Sequence, residues 1–325
     1  MINQTINTTF NFRVACLVIF SVFFGYKSES QDAKTRRFTS PAEMIDWMKA
    51  PTNDYVMVVA HRGYWRSAPE NSILAVKNAV EAGIEIVEID VRKTSDGHLV
   101  VIHDKSLDRT TTGRGKVSEI TLDSVKSVFL KTGVGGYTHY EVPTLREMME
   151  FVATQNILVN LDKCWDYLPE AYKVLKETGT IDQVLFKGSE PLDKLRAEHG
   201  ALLDSIHYMP MVWPENYNIY TNNVSEEPVF YVDEFLYEFD PIGFEVIYDS
   251  EDSPVISTID KMRDRSAAVW VNTLWPALCG GHYDELAYSD PDKHWGWVVE
   301  HGANIIQSDR PVSLIKYLRS KGLHD

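Results

Sequence analysis

Ile84-Glu85-Ile86-Val87-Glu88-Ile89-Asp90-Val91 is the stretch on which the fold turns. Its β-branched residues read as a strand. On a strand, residues i and i+2 project to the same face, so Glu88 and Asp90 stand side by side. Two like charges so placed repel unless a cation or a proton lies between them. Ile86, Val87, Ile89 and Val91 put apolar side chains on both faces, as in a strand buried on both sides and unlike a solvated edge. A buried strand carrying paired acids reads as a metal site.

Short apolar runs at 56–60, 157–161, 184–186, 207–212, 242–246, 267–271 and 304–307 read as seven further strands beside the one at 84–90. Amphipathic stretches such as 72–82, 145–155, 168–177 and 312–318 separate most of them. This alternation predicts parallel strands joined by helices, and eight units fit a (β/α)8 TIM barrel. Functional side chains of such a barrel sit at the carboxyl ends of the strands. His61 falls just after the first strand, Glu88 and Asp90 at the end of the second, and Asp162 at the end of the third. Lys187 follows the fourth, Glu245 ends the sixth and Asn272 follows the seventh.

Residues 91–142 do not continue as a plain helix. Asp96-Gly97 is a hairpin-turn dipeptide, and 99–103 alternates as a returning strand with Leu99, Val101 and His103 on one face. A stretch with several glycines follows, from Gly113 to Gly136, around an amphipathic segment near 122–130. The reading is a short insertion after strand two, at about residues 105–142, capping the barrel mouth.

The ordered set His61-Arg62-Gly63, Pro69-Glu70-Asn71, Glu88-x-Asp90, Asp96-Gly97, His103-Asp104 and Leu107-Asp108-Arg109-Thr110-Thr111 resembles the glycerophosphodiester phosphodiesterase family. Gly302 to Pro311 looks like that family's closing strand and turn, so the resemblance runs from about 56 to 320 and is thin between 190 and 265. It implies Glu88, Asp90 and Asp162 as metal ligands and His61 and His103 as general acid and base, without saying which is which. The family's attacking group can be a substrate hydroxyl beside the phosphate, giving a cyclic intermediate that water opens. The sequence departs from the family at Asp162, where Glu is usual, and at Cys164, where the family lysine falls. Either strand three has ended and Lys163 turns inward, or Lys187 contacts the phosphate instead.

The chemistry agrees with the residue types. Carboxylates alone repel a phosphodiester, so three of them at a barrel mouth require a divalent cation that reverses the local sign. All-oxygen ligation suits Mg2+ or Ca2+. Imidazoles near neutral pH suit proton transfer at the attacking and leaving oxygens. Arg62 is the natural bidentate partner for phosphate. Glu245 is a candidate hydrogen-bonding partner for a substrate hydroxyl, and Trp275 with Tyr283 a candidate aromatic wall for the alcohol, on a 272–292 loop whose Gly280-Gly281 pair suggests mobility. Glu70 either supports the site or caps the helix at 72–82. A glycoside hydrolase is disfavoured, because acids at i and i+2 lie roughly 6–7 Å apart and point the same way instead of flanking a bond.

The 325 residues suffice for one large core, and the net charge of −15 disfavours nucleic acid and anionic membrane surfaces as partners. Residues 14–25 form an apolar run behind Arg13, too short for a comfortable membrane span, and Ser28-Glu29-Ser30 offers a cleavage pattern. The expectation is a signal peptide at 1–30, export to the periplasm or the medium, no membrane span after its removal, and a mature domain at 31–325. Cys164 and Cys279 then remain, more in keeping with buried apolar residues than with a disulfide framework. The expected substrate is a small-molecule phosphodiester. A phospholipase C- or D-like enzyme on lysophospholipids or inositol phosphodiesters, and a non-catalytic phospho-ligand-binding barrel, are the rival readings.

Overall fold

The computed structural model describes residues 36–214 and 228–325, together with the short backbone stretches Tyr217–Asn218 and Asn223–Val224. The predicted leader lies outside the described residues. No helix among the described residues is long and apolar enough to cross a membrane.

Eight parallel strands close a barrel: β1 (Met57–Ala60), β2 (Ile86–Lys93), β3 (Leu158–Asp162), β4 (Val184–Gly188), β5 (His207–Val212), β6 (Gly243–Val246), β7 (Ala268–Asn272) and β8 (Ile305–Ser308). Closure is direct, since Val59 of β1 is in register with both Gln307 of β8 and Ile86 of β2. The alternation of the strands sorts their side chains. Val58, Val87, Ile89, Val159, Leu161, Val269 and Ile306 face the surrounding helices, while Met57, Val59, Ile86, Leu158, Leu185, Met209 and Ile305 fill the lumen. Helix Pro41–Lys49, N-capped by Ser40, packs Met44, Ile45, Trp47 and Met48 against those lumen residues and stops the amino-terminal end of the barrel.

The same lumen-facing register continues upward into polar residues. Glu88, Asn160, Lys187, Glu245, Asn272 and Gln307 lie one step above the apolar layers, all buried. His61 and Asp309 lie just past the carboxyl ends of β1 and β8, Asp162 ends β3, and Asp90 lies within β2 beside Asp162, at the last pair the two strands share. Burial inside the lumen costs little for the apolar floor and must be compensated by partners for the polar storey.

The segment after β2 is a small unit whose returning strand is shorter than the expected 99–103, so His103 lies beyond it. Gly97, at φ +86, turns the chain, and Leu99–Val101 returns antiparallel to β2 with Val101 beside Val91. Helix Leu122–Lys126 and a hairpin of Phe129–Lys131 with Tyr137–Glu141 follow. Val100, Ile102, Leu107, Val117, Val125, Leu130 and Val142 give it a core of its own. Gly280 and Gly281 hold φ +57 and +87 in a turn whose amides donate to the Tyr248 and Pro276 carbonyls at 2.7 and 3.0 Å. Cys164 and Cys279 are both buried free thiols.

Candidate active site

The loop after β1 is bent by two consecutive left-handed residues, Arg62 at φ +53 and Gly63 at φ +71, and is pinned to β2. Arg62 N donates to Glu88 Oε2 at 2.9 Å and Gly63 N to the Glu88 carbonyl at 3.0 Å. A Cβ on Gly63 would lie 2.9 Å from Ala75 Cβ and 3.1 Å from its carbonyl carbon. Gly63→Ala is therefore expected to lower stability by about 2–4 kcal/mol, from the left-handed backbone and the overlap together, read by denaturant unfolding. An unchanged midpoint would show that the loop relaxes freely.

Glu88, Asp90 and Asp162 converge: each offers an oxygen, and these lie within 4.8 Å of one another. Glu88 and Asp90 are buried and Asp162 is half-buried. Asn71, itself left-handed at φ +59, clamps Asp90 by donating Nδ2 to Oδ2 at 2.8 Å and accepting the Asp90 amide at 3.0 Å. Burial first, and then the Asp90 charge, push Glu88 up to about 7. Lys163 answers part of that repulsion. The strand ends at Asp162, Lys163 adopts φ +56, and its ammonium reaches Asp90 Oδ1 at 2.6 Å and Asp162 Oδ2 at 2.7 Å. Burial disfavours its charge, but the two carboxylates outweigh this and raise its pKa. The donor set is all oxygen, and it already draws a cationic group between two of its members, so these residues fit a hard divalent cation.

Both histidines are tied through Nδ1 to a carboxylate. His61 Nδ1 lies 2.8 Å from Asp309 Oδ1, and His103 Nδ1 lies 2.7 Å from Asp104 Oδ1. Carboxylates accept, so each Nδ1 carries the proton and each Nε2 is left for other partners. His61 Nε2 stands 3.9 Å from Glu88 Oε2. Burial disfavours the charged His61, yet Asp309 and Glu88 reverse this and raise its pKa. Burial lowers that of His103 despite Asp90 and Asp104. These directions belong to the metal-free protein, since a cation at the carboxylates cancels their field.

Other expected residues fall elsewhere. Arg62 points along the site, its Nε 3.7 Å from Asp90 Oδ2 and buried without a hydrogen-bond partner. Lys187 is ion-paired with Glu245 inside the lumen and sits 4.2 Å over the Trp270 ring, whereas Lys163 lies at the carboxylate cluster. Glu245 also accepts from Asn272 Nδ2 at 2.7 Å, so its carboxylate takes part in an internal network with Lys187 and Asn272. Trp275 is at the mouth, its ring 6.2 Å from that of His61, whereas Tyr283 packs into the outer core. Glu70 caps no helix. Ser72 does so, accepting from Ala75 N, while Glu70 binds two arginines.

Asp309, Asn71, Asp104 and Arg109 join the expected residues at the site, and each lies inside one of the motifs that carry the family resemblance. Asp309 also accepts from Trp65 Nε1 at 2.6 Å, and its amide donates to Asp284 Oδ2 at 2.6 Å. Asp284, buried on the loop after β7, takes in Thr273, Trp295 and Ser308 as well, and so fixes the β8 end that orients His61. A cavity of about 280 Å³ beside His61 is lined by Arg62, Trp65, Glu70, Arg109 and Trp275 among others.

Residues 61–197 match the family model described as the glycerophosphoryl diester phosphodiesterase family, and 208–318 match one described only as a domain of unknown function. Over residues 61–197 the chain is similar to the glycerophosphodiester phosphodiesterase family.

Among curated members of that family, one from Caldanaerobacter subterraneus subsp. tengcongensis is 43% identical over 107 residues, 33% of this chain and 44% of the relative. One from Bacillus altitudinis is 35% identical over 158 residues, 46% of this chain and 58% of the relative. The chain thus spans less than two thirds of the length of these relatives. A glycerophosphoryl diester phosphodiesterase from Parabacteroides distasonis shares the fold at TM-score 0.69 and 20% identity, over 88% of this chain and 94% of that one. So does an Oleispira antarctica phosphodiesterase solved with sn-glycerol-3-phosphate, at TM-score 0.60 and 23% identity over 86% and 99%.

Proposed function

We propose that this protein hydrolyses glycerophosphodiesters to an alcohol and glycerol 3-phosphate, by acid–base catalysis with a divalent cation. One observation carries the reading: three carboxylates meet at the mouth of a closed barrel with His61 Nε2 3.9 Å from Glu88, and His61 and His103 each have Nδ1 held by an aspartate. Similarity to relatives named glycerophosphodiester phosphodiesterase supports the same substrate.

Glu88, Asp90 and Asp162 would hold Mg2+ or Ca2+, which supplies positive charge for the phosphate oxygens as they gain charge in the transition state. Arg62 donates from its unpaired Nε toward the phosphate, and Lys163 adds a second cation at the same mouth. One imidazole takes the proton of the attacking oxygen through Nε2. The other returns a proton to the leaving alkoxide. Asp309 and Asp104 accept from Nδ1–H of each ring, which leaves Nε2 of the base free to take a proton and stabilises the doubly protonated imidazolium whose Nε2–H the acid gives to the alkoxide. The apolar run at 14–25 supports export of the mature chain, which signal-sequence fusion to a reporter active only outside the cytoplasm tests.

The test is hydrolysis of a panel of glycerophospho-alcohols, with glycerol 3-phosphate measured by a coupled dehydrogenase. Turnover of the panel that stops with chelator and returns with Mg2+ or Ca2+ is expected. Turnover that survives chelation removes the cation. One feature favours the phospholipase-like reading: the insertion hairpin exposes Val134 at 96% and Tyr137 at 81%, next to Gly133, which packs on Trp65 of the mouth. Activity confined to long-chain lysophospholipids would decide for it.

A further inference from the structure

Glu70 is buried, yet it holds two guanidinium groups. Its Oε1 accepts from Arg62 at 3.1 Å and from Arg109 at 2.8 Å, and its Oε2 accepts from Arg109 at 2.7 Å. Arg109 comes from the insertion, and its other edge grips Asp104, with Nε 2.8 Å from Oδ2 and a terminal nitrogen 2.8 Å from Oδ1. Asp104 Oδ1 is the atom that accepts from His103 Nδ1. The result is one continuous ladder, Arg62–Glu70–Arg109–Asp104–His103, with two positive and two carboxylate members ahead of the imidazole. Arg109 spends four of its five N–H groups on these contacts, so it has little left for a substrate anion.

We propose that Arg109 is a positioning residue: it locks Asp104, and through it the tautomer and ring plane of His103, in register with the phosphate-facing Arg62. This rests on the reading of His103 as an acid–base group. A planar fork spans both carboxylates at once, which the single ammonium of lysine does not. The role is separable from folding, because the insertion keeps its own apolar core and backbone bonds, such as Leu107 N to Gly115 O at 3.0 Å and Val117 N to Lys105 O at 2.9 Å. A mouth built on β2 alone would leave His103 on a loop with its ring free to rotate. The ladder makes the insertion part of the catalytic apparatus.

The experiment compares Arg109→Ala and Arg109→Lys with the wild-type chain. Nitrogen-15 histidine NMR of the substrate-free protein reads the His103 tautomer. Kinetics on whichever glycerophosphodiester the wild type hydrolyses gives kcat and KM, and thermal melting checks the fold. The expected result is a fall in kcat of about 10- to 100-fold in both variants, the usual scale for a lost orienting partner. KM should move less than kcat, the melting temperature should hold, and the His103 Nδ1–H signal should give way to mixed tautomers. Methylguanidinium should restore part of the Arg109→Ala loss, since the side chain is half exposed. A wild-type His103 spectrum in either variant overturns the proposal, as does an unchanged kcat in Arg109→Lys, the variant to rely on where Arg109→Ala does not fold. A wild-type chain that hydrolyses no diester rejects the proposed reaction, while the spectrum still decides the positioning.

Discussion

Glu88→Gln is expected to abolish glycerophosphodiester turnover while raising the melting temperature of the metal-free protein. The carboxylate is buried at 3% exposure beside Asp90, and Asp162 is close by. Burial and then Asp90 raise its pKa from an ordinary 4.5 to about 7. The sign follows from linkage: a folded state that holds the proton more tightly than the unfolded chain is favoured below pH 4.5 and loses that advantage as pH rises through about 7. Metal-free wild type should therefore melt progressively lower across that window through this group, and the Gln variant, which has no charge to desolvate, should lack that component. Mg2+ or Ca2+ should stabilise the wild type by mass action and the variant far less. Thermal melts from pH 4.5 to 8 in chelator, repeated with cation, measure both effects. Equal cation stabilisation of the two proteins would falsify the assignment of Glu88 as a ligand.

His61→Ala and His103→Ala are each expected to lower kcat by about 10²- to 10⁴-fold, the range for loss of a positioned acid or base. The double variant should lose much less than the product of the two, because both groups serve one transition state. Asp309→Asn tests the orientation of His61 separately. It keeps the volume but can offer an N–H to Nδ1, which would turn the imidazole to the wrong tautomer. Its loss should be mainly in kcat, about 10- to 100-fold, with circular dichroism unchanged. A His103→Ala variant that keeps more than half of the wild-type kcat would remove His103 from the chemistry. The same result for Asp309→Asn would leave Asp309 a bystander.

The barrel was legible because period-two apolar runs and intervening amphipathic stretches are local patterns. The predicted strand at 157–161 and the observed Leu158–Asp162 differ by one residue at each end. Glu88 and Asp90 were legible as a pair for the same reason, since side-chain alternation needs no tertiary information. Lys163 against Lys187 was not legible. Where each amine lies turns on φ +56 at Lys163, which swings its amine back over Asp90, and on the proximity of Glu245 to Lys187 across the lumen. Gly280 and Gly281 were legible as a glycine pair on a loop, and their positive φ values show the left-handed backbone that the turn there requires. Tyr283 and Trp275 are both aromatic residues on one loop, yet only Trp275 emerges at the mouth.

The linear chain determined the strands, the face on which each acid lies, and the order in which the motifs arrive at the barrel rim. These follow from stereochemistry acting over a few neighbouring residues. Partnership across the rim was decided only by closure of the barrel: Asp309 with His61 over 248 positions, and Glu70 with Arg109 over 39. Such pairs depend on how far each strand and loop is carried around the lumen, a distance no local pattern encodes, and they determine which way each imidazole and arginine points.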